Sequence, residues 1–354
     1  MVSITRLIKS MSSGNQEDNV ETVVAERAAA TIDPAVAAKH RRYLRYILFA
    51  GVAVLIVAPY TVNPYRLHVF NILIINIMLA TALNLVMGYA GQFAKANVAF
   101  MGLGAYTMGL LVTRLDISFW LAWPAGALLS AFVGTLIALP ALRLRGLYLA
   151  ILSISFVLIV HWCFIHLRFL SGGASGFSVP PPSFGPIPIS DTMGTYYLSL
   201  VTMLITMWIA RNIVASSFGR TWLCLAEQEL IAPGLGINVF YNKVIVFALS
   251  GLLCGLAGGL HGVTLRFIDP QNYWLLQLVI HLCMVALGGV SSLLGSIMGA
   301  GLLSIMLEVL RAFKGLWEFA VGALLLFVIV FFPRGLSGMV DNLFPALRER
   351  RHRS

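Results

Sequence analysis

The 354-residue sequence predicts an all-α polytopic membrane protein. It would have about ten transmembrane helices, N- and C-termini in the cytosol, and one amphipathic helix on the cytosolic side. Three observations predict this. Hydrophobic residues make up 59% of the chain and charged residues only 11%, with a mean hydropathy of +0.88, a balance that belongs in a bilayer. Apolar runs long enough to span a bilayer recur along the chain. Lysine and arginine cluster at the ends of those runs and favour one side.

Residues 1–38 differ from the rest, with Glu17, Asp18, Glu21, Glu26 and Asp33 among Ser, Ala and Asn. They have no apolar core of signal-peptide length, so the reading is a cytosolic tail, disordered or partly helical near Val20–Ala30, and the first span is retained. The transmembrane domain is expected over 39–340, and 341–354 is a basic cytosolic segment. Candidate spans fall near 44–60, 67–87, 97–113, 118–139, 147–167, 194–214, 242–265, 273–290, 295–311 and 316–332, the eighth and ninth separated only by a Gly/Ser break.

With the N-terminus inside, fifteen basic residues flank the cytosolic ends, among them Arg41, Lys95, Arg143, Arg145, Arg220, Lys243 and Arg334. Six lie outside: Arg66, Arg114, Arg168, Arg266, Arg311 and Lys314. The net charge of +10 therefore encodes topology; no basic stripe suits nucleic acid. The longest outside connection, Arg168 to about Gly194, carries SGGASGFSVPPPSFGPIPIS. Its prolines and glycines predict an extended, polyproline-like loop, either a cover or a face for a soluble donor protein.

Ser217–Asn238 (SFGRTWLCLAEQELIAPGLGIN) is a polar island between spans. Leu223, Ala226 and Leu230 recur at helical spacing with Trp222 at one edge and Glu227 at the other, and Pro233, Gly234 and Gly236 end the helix. Two readings compete: an interfacial connector, and a docking helix for a cytosolic motor.

Enzyme chemistry finds little support. Gly173-Ala174-Ser175-Gly176 imitates the G-x-S-G of intramembrane serine proteases, but prolines follow and the serine lies in a loop. His161 and His166 are five apart and do not share a helix face, and no carboxylate or cysteine completes a metal set with them. Cys163, Cys224, Cys254 and Cys283 form no CxxC pair. The dipeptide Gly-Lys is absent, so there is no P-loop. Within the spans the acidic residues are Glu308 and Glu318, both near outer ends, which disfavours the alternative of an ion-coupled secondary carrier. Two spans are interrupted by small residues, Met87–Gln92 and Leu287–Ser292. Backbone freed at membrane depth is tolerated against protein or a water-lined cavity, so both breaks are candidates for lining a pathway, with close helix packing as the competing reading.

From about Asn71 to Met339 the chain resembles the LivM-type permease subunits of ABC importers for branched-chain amino acids, a family whose members also carry urea and amides. The stretches that carry the resemblance are LNLVMGYAGQ (83–92), AFMGLGAY (99–106), RLRGLYLAILSISF (143–156), SGGASGF (171–177), GLGIN (234–238), SGLLCGLAGGL (250–260), MVALGGVSSLLGSIMGA (284–300) and FFPRGLSG (331–338), in the family's order. The resemblance implies an inner-membrane import channel shared with a second, LivH-type permease. Two cytosolic ATPases would bind the ATP-Mg, a periplasmic solute-binding protein would deliver substrate, and this chain would bind no cofactor or metal and catalyse nothing itself.

The island matches the family's ATPase-coupling loop (216–238), which puts Arg220, Glu227, Glu229, Gly236 and Asn238 at the motor contact. It departs at Leu223–Ala226, where a charged run is usual, and at Pro233. The pathway residues would be Gly88, Gly91, Gln92, Lys95, Asn97, Gly288, Gly289, Ser291 and Ser292. Ala94-Lys95-Ala96-Asn97 replaces a Ser-Leu-Gly-His-like run. A lysine there would favour an anionic or carboxylate-bearing solute, unless it simply ends a span.

Overall fold

A computed structural model describes residues 59–60, 63–142, 144, 146–182, 191–229 and 231–311, with 319, 322–323 and 326. The 1–38 tail, most of the 44–60 and 316–332 runs, Arg143, Arg145, Glu318, the 331–338 stretch and the 341–354 segment lie outside the described residues. The described part is mostly helical. Its long helices are α1 (Pro64–Asn84), α2 (Asn97–Arg114), α3 (Phe119–Ala141), α4 (Leu147–His166), α5 (Asp191–Ala215), α6 (Ser217–Gln228), α7 (Val239–Leu265), α8 (Leu275–Gly288) and α9 (Leu293–Leu310).

Among the described residues six helices are long and apolar enough to cross a membrane: α1 with its continuation to Tyr89, α3, α4, α5 from Thr192, α7 and α9. They coincide with six of the expected runs, and the chain is a multi-pass helical membrane protein. The runs at 97–113 and 273–290 form helices α2 and α8 but fall short. The 14 residues of α8 rise about 21 Å, less than a hydrocarbon core. The sequence of α2 is diluted by Asn97, Thr107, Arg114 and three glycines.

The core forms around α1 and α7, whose most apolar stretches are 78% and 67% buried, against 33% for α5 and 28% for α9. Helix α7 packs on α2 and α3, and α1 on α5, α9 and α7. Small residues set the first group: a Cβ on Gly104 of α2 would lie 2.3 Å from the Gly255 carbonyl of α7, so the two backbones touch. Polar side chains set the second. Asn71 donates to Thr264 Oγ1 at 3.0 Å, and Asn76 to Ser304 Oγ at 3.0 Å, tying α1 to α7 and α9. The outer helices expose Phe132 and Leu136, Ile159 and Trp162, and Ile205 and Trp208 to lipid or a partner chain.

The described part of the connection after α4, 168–182, differs from the extended loop expected, and 183–190 lie outside the described residues. It makes a helical turn at Arg168–Ser171, a 3-10 turn at Gly173–Ser175 and a short strand, β1 (Phe177–Ser178). That strand pairs antiparallel with β2 (Phe267–Ile268), in register Phe177 opposite Ile268. Pairing wins because α7 ends at Arg266 in the left-handed region (φ 56°) and turns an edge toward the loop. The prolines come only after the ladder closes with Val179 N to Arg266 O at 3.0 Å. Ser175 lies in the 3-10 turn, off any membrane helix.

Candidate functional site: a junction of two helix breaks beneath an amphipathic helix

Both glycine-rich breaks are present, and they are bonded to each other. Helix α1 widens into a π-turn over Leu85–Tyr89, then runs non-helically from Ala90 to the start of α2. A π-turn displaces the i→i−4 ladder and frees carbonyls. That of Gly88 accepts from Ser291 Oγ at 2.7 Å, in the turn between α8 and α9. Asn84, the last residue of α1, holds the same turn. Its Nδ2 donates to Ser292 O (2.9 Å) and Ser296 Oγ (2.8 Å), and its Oδ1 accepts from Ser291 N (2.9 Å). Ser291 has a positive φ of 63° and Gly289 one of 105°. The bonds with Asn84 and Gly88 satisfy this part-buried backbone. Ser292 caps α9 by accepting from Gly295 N at 3.0 Å, and buried Gly288 closes α8 against Gly295.

The first break also supports α6. Gly91 has φ +62°, and a Cβ there would come within 2.5 Å of Ala226 Cα on α6. Only glycine meets both demands. Gln92 is buried, its amide donating to Ala90 O at 3.1 Å. Lys95 is half-buried, its backbone N–H donating to Ser153 Oγ at 2.9 Å. Asn97 is buried and its Nδ2 lies 3.0 Å from His281 Nδ1, while His281 Nε2 lies 3.0 Å from the Gln277 amide.

Helix α6 is capped by Ser216 Oγ, which accepts from Phe218 N at 3.2 Å. Its buried face is Gly219, Trp222 and Leu225, with Trp222 fully buried. The expected face of Leu223, Ala226 and Leu230 is corrected. The helix ends at Gln228, and Leu230 lies outside the described residues; Trp222 is the centre of the buried face, not its edge, and Ala226 is exposed beside its contact with Gly91.

The residues assigned to a motor contact divide. Arg220 and Glu227 are exposed. Glu229 turns inward: its carboxylate meets Lys243 Nζ of α7 at 2.8 Å, with side-chain exposures of 17% and 1%. This ion pair shuts the loop that α6 opens. Gly236 (φ 77°) ends the Ala232–Leu235 turn, and Asn238 caps α7 by accepting from Tyr241 N at 3.1 Å. These two are turn and cap residues of the loop.

Sequence reasoning missed Asn84, Lys243 and His281 as members of this junction. An asparagine closing a long apolar run just before a Gly-rich break was the available signal for Asn84. Among the described residues no group of three His, Cys, Asp or Glu is placed to hold a metal ion, and the four cysteines are free.

Breaks bonded to each other and supporting a capped amphipathic helix define a class: a polytopic helical protein with an amphipathic helix seated on a break in its bundle. Comparison with known proteins makes the class specific. A family described as branched-chain amino acid transport system / permease component matches residues 65–332. The chain belongs to this permease family. It is 27% identical over 319 residues (83% of this chain, 75% of the relative) to the high-affinity branched-chain amino acid transport system permease protein LivM of Salmonella typhimurium. It is 28% identical over 315 residues (81% and 74%) to LivM of Escherichia coli K12. The Autoinducer 2 import system permease protein LsrC of Escherichia coli matches at 26% over 159 residues (43% and 46%). No solved structure matches the chain.

Proposed function

We propose that this chain is a transmembrane permease subunit of an ATP-driven ABC importer in a bacterial inner membrane. It passes a small solute from a periplasmic binding protein to the cytosol by alternating access. Partners are a second, LivH-type permease and two cytosolic ATPases, on which ATP-Mg is hydrolysed. The solute is a branched-chain amino acid or a related small polar or carboxylate-bearing molecule; the LsrC relative is named for a different import, so the family name does not fix the cargo.

The observation that carries the reading is the seat of α6 on Gly91. A motor that moves α6 moves the Ala90–Ala96 linker directly. Through the Asn84 and Ser291 bonds it also moves the α8–α9 turn. Exposed Arg220 and Glu227 present the charges a motor would grip. Glu229 and Lys243 hold the far end of α6 to α7, so that the lever moves as one piece.

Topology follows the same reading: ten spans, both termini cytosolic, and the 216–238 loop inside. The test is to tag the chain in its native membrane, solubilise it gently and identify what accompanies it. A homologous permease with P-loop ATPases, and uptake that requires ATP, are expected. The chain alone, with uptake that follows a proton or sodium gradient, would overturn the assignment.

A further inference from the structure

The β1–β2 ladder ties the connection after α4 to the connection between α7 and α8, and it rests on α2. A Cβ on Gly109 of α2 would lie 2.5 Å from Ile268 Cδ1 and 2.9 Å from Phe177 Cε2, so one residue of each strand is pressed onto that helix. Beside the ladder, rings from four segments meet. Tyr106 of α2 stacks on Phe164 of α4 with centroids 3.9 Å apart, and meets Phe177 of β1 and Tyr273 edge-on at 5.8 and 5.9 Å. His161 of α4 lies 4.1 Å from the ring of Trp274, which follows Tyr273.

Three features show that this closure is built to part. The strands are two residues each, and a two-stranded ribbon has little stability of its own. Left-handed residues lead into both strands: Gly172, Gly173 and Gly176 before β1, and Arg266 before β2. Gly176 (φ 62°) also abuts the Ile268 carbonyl, a position that admits no side chain. Third, Tyr106 Oη and His161 Nδ1 are buried and have no hydrogen-bond partner among the described residues. Buried polar atoms are ordinarily bonded. A seal of rings makes no use of these two, whereas the wall of an entrance would. Helix α2 links this place to the first break. It starts where the Ala90–Ala96 linker ends, and Gly109 lies about 18 Å along it.

We propose that the β1–β2 ladder is an outer latch of the permease. Joined, as in this structure, it holds the ring cluster shut. When β1 swings away from β2, Tyr106 and His161 come to line an entrance between α2, α4 and the 266–274 connection, and their open polar atoms meet water or solute. On the proposed topology that entrance opens on the periplasmic side, opposite α6. A pull on α6 reaches the latch through the linker and α2. Glycine contacts such as Gly104 against Gly255 present no interlocking side chains, so α2 shears along α7.

The inference rests on the permease reading, but its first test needs no ATPase. Ser178 and Phe267 are opposite each other and exposed. As neighbours of the hydrogen-bonded pair Val179 and Arg266, their Cα atoms lie about 4.5 Å apart, within disulfide reach. Ser178→Cys with Phe267→Cys, in a chain whose four native cysteines are serine, makes a lock that oxidation closes and reductant opens. A third substitution, His161→Cys, reports entry. In sealed spheroplasts a small, charged, membrane-impermeant thiol reagent should reach this reporter at least tenfold faster with the lock open than closed, read at its own peptide by mass spectrometry. Where His161→Cys does not assemble, Phe164→Cys from the same cluster takes its place. In the chain purified with the subunits that accompany it, ATP-Mg should change the open-lock rate at least tenfold and leave the closed-lock rate unaltered. Equal rates with the lock open and closed, no labelling in either state, or no response to ATP-Mg while ATP is hydrolysed overturns the latch. ATP-dependent uptake alongside equal rates would leave the importer assignment standing. A working lock in a chain that purifies alone would remove that assignment and keep the latch.

Discussion

Asn84 makes three hydrogen bonds across the junction, to Ser291, Ser292 and Ser296, and its side chain is fully buried. Each bond contributes about 1 kcal/mol. Asn84→Leu should therefore cost about 3 kcal/mol, read as a lower Tm of the purified complex, and should abolish transport because the two breaks separate. Asn84→Asp is the sharper probe. It keeps the size but sets carboxylate oxygens against Ser292 O, so it should be at least as damaging as the leucine variant. Wild-type uptake in Asn84→Asp would remove the junction from the mechanism. The pair Glu229–Lys243 makes a second residue-scale case. Removing one partner of a buried pair costs about 3–5 kcal/mol, so Glu229→Arg should collapse the loop and with it uptake. The exchange Glu229→Arg with Lys243→Glu discriminates between roles: recovered uptake marks an internal clamp, whereas continued loss with an intact, assembled chain marks a direct contact to the ATPase.

At the scale of elements, the proposed function requires α6 and the linker beneath it to move as one lever seated on Gly91. Gly91→Ala adds a methyl against Ala226 Cα and forces a left-handed residue that costs about 1 kcal/mol. The expected phenotype is assembled complex with ATPase activity but reduced uptake. Ala226→Gly in the same chain should restore part of it by vacating the β-carbon, leaving the backbone contact and the strain. No interaction between the two substitutions in that double-mutant comparison would refute the pivot. The sequence made this lever half legible. Both Gly-rich breaks could be read because backbone freed at membrane depth needs a partner, and Ser217–Asn238 because charge is scarce elsewhere. That the breaks bond to each other could not be read: Asn84 and Ser296 lie 212 positions apart, and polar residues in apolar runs carry no mark of their partners. The buried face of α6 was misplaced because Leu230 fits the helical period, whereas the chain leaves the helix at Gln228. Glu229 looked like a surface carboxylate because its cation arrives only after the Pro/Gly turn, at Lys243.

For the whole molecule the claim that matters is sidedness, since a lever works only if α6 faces the motor. On the proposed topology, which rests on the positive-inside distribution, α6 and Lys243 would lie in the cytosol and the β1–β2 ladder and Gln271 outside. Helix α6 packs against the π-turn that ends α1, while Tyr65, at the start of α1, donates to Glu308 at the end of α9. Glu308 in turn pairs with Arg311 at 3.3 Å. The two ends of α1 thus carry two different neighbourhoods, about 30 Å apart by the rise of its 21 residues. Starting from a chain with all four cysteines replaced by serine, single exposed cysteines at Arg220 and Gln271 report the sides. A membrane-impermeant maleimide should label Gln271→Cys in spheroplasts and Arg220→Cys only in inverted vesicles. The opposite pattern would set α6 in the periplasm, where no ATPase reaches it, and α6 would then be a connector between spans with the permease lacking its lever.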